Sequence, residues 1–147
     1  MTEDAGRRRR PGVNVTASDG ESLALEQAFD GDSLYALRAA VAAHGSQSGL
    51  SEGRTRDLVL AVHELAANAV RHGAGQGRLR LWAAHDAVRC EITDEGVPGE
   101  AGEADAALWR AEPGHGLWLV HRIADSASVQ SGASGTVAAV IFRRVRS

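Results

Sequence analysis

Glu64, Asn68 and His72 recur every four residues within a stretch of helical character. At 100° per residue, this spacing stacks a carboxylate, an amide and an imidazole in one column. Leu58, Val62, Leu65 and Ala69 form an apolar stripe on the same stretch, so the polar column lies at the edge of a core-facing surface. Asparagine is a poor helix former, and a partly buried amide needs hydrogen-bond partners. A ligand or a hydrated metal ion at the margin of the core would supply them. The alternative is that Glu64 and His72 frame a solvated face with Arg71. His63-Glu64 also begins a zinc-protease pattern, but that pattern needs a histidine at position 67, which is alanine.

Three further segments carry chemistry. In Thr93-Asp94-Glu95-Gly96-Val97-Pro98-Gly99, an aspartate sits where a strand ends. Its carboxylate can accept a hydrogen bond from an exocyclic amine, and the glycines allow close backbone approach. An ordinary Asp-Glu-Gly turn is the other reading. In Pro113-Gly114-His115-Gly116-Leu117-Trp118-Leu119-Val120, two glycines open into an apolar helix. Bare backbone N–H groups and the positive end of the helix dipole make a cradle for phosphate. Gly135-Thr136 opens the last strand; its hydroxyl could reach a phosphate, and a hairpin turn before a β-branched residue explains it equally well.

The elements that must position these residues follow from periodicity and punctuation. A first strand is predicted over 22–29. Asp32 or Ser33 caps a helix through about His44, with Leu34, Leu37, Ala40 and Val41 on one face. Ser51 caps a longer helix over 52–72, and Gly73 stops it. A hairpin over 78–84 and 87–93 turns at His85-Asp86. Residues 94–115 form a long loop of lid character, shortened if 104–110 is helical. A third helix runs over 116–125, and two strands near 127–130 and 136–143 close the chain around the turn 131–135. Helices grouped against a mostly antiparallel sheet give an α+β two-layer sandwich. Residues 1–20, with Arg7 to Arg10, read as a disordered basic tail, and residues 21–147 as one domain.

Composition removes several classes. All 16 cations are arginine, so a P-loop lysine, a protein-kinase strand lysine and a Schiff-base lysine are excluded. Cys90 is the single cysteine and supplies neither a disulfide nor a thiolate metal cage. No run of apolar residues is long enough to span a bilayer, and Pro11-Gly12 stands where a signal peptide needs an apolar run. These features predict a cytoplasmic protein with no membrane contact. The net charge is −3, and residues 11–147 carry 12 arginines against 17 acids, which speaks against direct nucleic-acid binding.

Taken together, the motifs resemble one superfamily. Glu64-Leu-Ala-Ala-Asn68-Ala-Val-Arg-His72-Gly73 looks like the N box of the GHKL ATPases, Asp94-Glu-Gly96 like their first glycine box, Gly114-His115-Gly116-Leu117 like the second, and Gly135-Thr136 like the terminal phosphate contact. The resemblance covers residues 22 to 143 and is strongest to the anti-sigma factor serine/threonine kinases of the RsbW type. It implies a Bergerat-type ATP-binding fold with three main helices, and ATP with Mg²⁺ as cofactors. Glu64 would be the catalytic base, Asn68 the Mg²⁺ ligand, Asp94 the adenine contact, and Gly114, Gly116 and Leu117 the phosphate contacts. His72, Gly96, Gly99, His115 and Thr136 would complete the nucleotide contacts. Two departures stand out: position 98 is proline with the glycine at 99, and Glu112-Pro113 precedes the second box, leaving Arg110 as the nearest cation. The lack of lysine is no obstacle, because helix-end amides, Mg²⁺ and arginine can meet phosphate charge.

The function implied is an anti-sigma factor that binds a sigma factor and phosphorylates an anti-anti-sigma antagonist. The alternative is a non-catalytic ATP-sensing module in which nucleotide orders the lid and changes partner affinity. The resemblance places a partner surface on the first helix, where Arg38 lies, and leaves homodimer formation open.

Overall fold

A computed structural model of the chain describes residues 20–94, 116–132 and 135–144. The order of elements is β1 (Ser22–Asp30), α1 (Leu34–Gln47), α2 (Glu52–His72), β2 (Gln76–Ala83), β3 (Ala87–Asp94), α3 (Gly116–Ile123), β4 (Ser126–Gly132) and β5 (Gly135–Arg143). The expected elements are all present, with ends displaced by a few residues. The expected tail over 1–19 and the expected lid beyond Asp94 lie outside the described residues.

The five strands form one sheet in the order β1-β2-β3-β5-β4, and every neighbouring pair is antiparallel. Alternation along the strands decides which residues face the helices. Leu79, Leu81, Val88, Cys90, Ile92, Ala138, Val140 and Phe142 join Leu37 and Val41 of α1, Leu58, Val62, Leu65 and Ala69 of α2, and Leu117 and Val120 of α3 in one core cluster. The predicted stripe on α2 is therefore the stripe that packs. Cys90 is fully buried in this cluster, and burial pushes its thiol well above the ordinary range, so it is an inert packing residue.

The opposite face of the sheet carries charge. The Arg89 guanidinium lies 4.0 Å from the centre of the buried Trp82 ring. It donates to both oxygens of Glu21, at 2.9 and 3.0 Å, and to Glu91 at 2.6 Å. The hydrogen bond to Glu21 is the largest influence holding the Arg89 proton more firmly than usual. Glu91 is only 2% exposed; burial raises its carboxyl above the usual range, and Arg89 opposes that rise. Next to this group, Glu26 pairs with Arg80 at 3.1 Å.

The caps differ in detail. Ser51 accepts from the Arg54 N–H at 3.1 Å, as its N-cap role requires. At α1 the expected cap is corrected: Ser33 occupies the N-cap position, but its side chain makes no cap bond. Its hydroxyl instead accepts from the Asp30 N–H at 2.9 Å, while Asp30 accepts from the Asp32 N–H at 2.9 Å. Both short side chains serve the β1–α1 turn and are unavailable to the helix end. No helix among the described residues is long and apolar enough to cross a membrane.

Candidate functional site

Helix α2 presents Glu64 and Asn68 half-buried and His72 exposed. Two members of the polar column therefore stand at the core margin and the third points further out. The Asn68 amide oxygen accepts from the Arg71 guanidinium at 3.2 Å. That oxygen is presented to a cation held by the same helix, one turn on. Arg71, read from sequence only as part of a solvated face, is thus a cation beside the candidate metal-binding amide.

The end of α2 leads directly to Asp94. The Gly73 N–H closes the helix on the Ala69 carbonyl at 3.0 Å, and the next residue's N–H, that of Ala74, donates to Asp94 Oδ1 at 3.1 Å. Asp94 is 3% exposed at the end of β3, and its partner across the β3–β5 ladder is Thr136, which is 4% exposed. Asp94 and Thr136 thus stand side by side next to the C-terminus of the helix that carries Glu64 and Asn68. Spacing does not give this grouping, since 20 positions divide Ala74 from Asp94; the motif resemblance is what assigned these residues to one site.

Helix α3 begins at Gly116. Leu117 is 2% exposed and belongs to the core cluster. Its side chain is taken up by the core, which leaves the backbone of the first helical turn as the part of Leu117 able to meet an anion. Gly96, Gly99, Gly114 and His115 lie outside the described residues.

Behind α3 is a feature the sequence reading did not single out. Arg54 donates to the Ile123 carbonyl at 3.0 Å and to Asp125 at 2.6 Å, and its guanidinium sits 4.7 Å from the centre of the Phe142 ring. Asp125 also accepts from the Arg143 N–H at 2.8 Å. The start of α2 is thereby bolted to the end of α3 and to β5. The signal was present: Arg54 precedes Leu58 by one turn on the apolar stripe, where an arginine needs buried partners.

Among the described residues, no group of three or more His, Cys, Asp or Glu side chains could hold a metal ion. A single amide oxygen suits Mg²⁺ that arrives on phosphate oxygens and keeps its waters, and Arg71 would have to give up its bond to that oxygen for the ion to reach it.

Among the described residues, a single antiparallel sheet, three helices on one face, and a carboxylate–amide helix ending against a buried strand-end aspartate make an α+β sandwich of the GHKL ATPase type. Residues 28–142 match the model of the histidine kinase-like ATPase domain, and the chain belongs to that family. Membership implies ATP binding. The fold is similar to that of the RsbU and RsbW domains of Rv1364c from Mycobacterium tuberculosis, with a TM-score of 0.62 at 20% identity. That match covers 84% of this chain and 34% of the mycobacterial one, so the chain spans about a third of that protein. It is also similar to the Acinetobacter baumannii histidine kinase AdeS, with a TM-score of 0.51 at 21% identity over 83% of this chain and 68% of the other. No curated protein matches by sequence.

Proposed function

We propose that this chain is an anti-sigma factor that binds Mg·ATP and phosphorylates a serine or threonine on an anti-anti-sigma antagonist. The observation that supports the nucleotide site is the seating of Asp94 against the end of α2, which puts its carboxylate and the Glu64–Asn68 pair on one connected support. An exocyclic amine of the base would donate to Asp94, with Thr136 beside it at the same end. The amides at the start of α3 would receive phosphate oxygens. The Asn68 amide oxygen would ligate Mg²⁺, which supplies charge neutralisation at the phosphates, and Arg71 adds a cation at that end in a chain without lysine.

In the reaction, Glu64 takes the proton of the attacking hydroxyl. The hydroxyl oxygen bonds to the γ-phosphorus, the bond to the β–γ bridging oxygen breaks, and ADP leaves. Likeness to the fold of a chain containing an RsbW domain supports the choice of partners. Tyr35, 80% exposed on α1 in the same exposed stretch as Arg38, offers a surface for one of them.

The test uses the full chain, labelled ATP and a purified candidate antagonist. Glu64→Ala is expected to lower transfer by about 100-fold or more while nucleotide binding persists. Saturable ATP binding with no transfer to any antagonist would instead leave a nucleotide-sensing module. No saturable Mg·ATP binding at all would sink both readings.

A further inference from the structure

Gly73 sits at the end of α2 with φ −111° and ψ −139°. A negative φ of this size places no demand for glycine. The demand comes from space: a Cβ built on Gly73 would land on the Asp94 carboxylate, in contact with both its oxygens and its carbon. The adjacent Ala74 N–H then fixes one of those oxygens at 3.1 Å. The backbone of the helix end and the aspartate are therefore packed to a distance that only a residue without a side chain permits.

We infer that Gly73 is a positioning residue for base recognition, setting where the Asp94 carboxylate stands and hence which nucleobase the site prefers. This rests on the reading of Asp94 as the base contact. Any side chain at 73 moves the carboxylate or the helix end, and the hydrogen bond from Ala74 lengthens. The misplaced carboxylate loses its bond to an exocyclic amine, while phosphate contacts at the start of α3, a separate element, are unaffected. The effect falls on discrimination between bases more than on affinity for triphosphate.

Equilibrium binding of Mg·ATP and Mg·GTP to the full chain tests this, with the urea midpoint of each variant recorded alongside. The native chain is expected to prefer ATP. Gly73→Ala is expected to weaken ATP by about tenfold, the value of one charge-assisted contact, and to leave GTP unchanged, so that the ATP-to-GTP ratio collapses. In an Asp94→Ala background, adding Gly73→Ala is expected to change neither the ratio nor the midpoint, since the atoms it would strike are gone. An unchanged ratio in folded Gly73→Ala overturns the inference and leaves the nucleotide site standing. Should Gly73→Ala alone not fold, folding of the double variant supports the contact, and its failure to fold overturns it. No binding of either nucleotide to the native chain would overturn the site itself.

Discussion

At the scale of single residues, the site is built from groups whose chemistry is ordinary and whose placement is not. Asn68 is an amide in a helix, a position that costs stability unless the amide has work or partners. Its oxygen already faces the Arg71 cation at 3.2 Å. We expect Asn68→Ala to weaken Mg²⁺-dependent ATP affinity by about tenfold or more and to leave Mg²⁺-independent affinity little changed. Titration of ATP with and without Mg²⁺ reads this directly; equal loss under both conditions would remove Asn68 from the metal. The polar column itself was legible from the four-residue repeat. Its relation to Asp94 and Thr136 was not, because strand register and the approach of the α2 end are long-range facts.

At the scale of elements, the start of α3, the proposed phosphate cradle, depends on what holds the far end of that helix. Arg54 does so with three kinds of contact: the ion pair to Asp125, the bond to the Ile123 carbonyl, and the Phe142 ring. Its side chain is 10% exposed and that of Asp125 16%. Arg54→Ala removes a buried guanidinium together with its charge-assisted bonds, and is expected to cost about 1.5–3 kcal/mol in urea unfolding. Arg56, whose pair with Glu52 is 71% and 90% exposed, is the control, and Arg56→Ala is expected to cost about 0.5 kcal/mol or less. Equal effects would mean that the bolt carries no stability. The helices and strands were themselves readable, since apolar period and caps are local signals. The α1 cap was misread because Asp30 and Ser33 satisfy the turn before the helix, a competition between two local uses of the same oxygens.

At the scale of the whole molecule, the sheet has one greasy face and one charged face, and the charged face reports on pH. The folded protein raises Glu91 above its ordinary carboxylate range, mainly by burial. Such a group binds its proton first in the folded state, so its contribution grows as pH falls through the folded value and is complete below the unfolded one. Glu91→Gln removes that titration. The stability of the native chain relative to Glu91→Gln is therefore expected to rise as pH falls toward the ordinary glutamate range, about pH 4.3, read as the difference in urea midpoints. A difference that falls toward acid would mean that the Arg89 pair outweighs burial at Glu91. The sequence by itself excluded lysine chemistries and an internal disulfide, and it set Glu64 and Asn68 on an amphipathic helix and glycines beside an aspartate at a strand end; the class came from the resemblance of those motifs to the GHKL ATPases. Those are matters of composition and of contacts within a few residues, where spacing alone dictates geometry. Only the tertiary structure decided that Thr136 stands beside Asp94, that Gly73 is empty because a carboxylate from another strand occupies the space, and that Arg54 ties two helices together. Each is a contact between segments far apart in the chain, created when burial of one shared core brings helix ends and strand ends together.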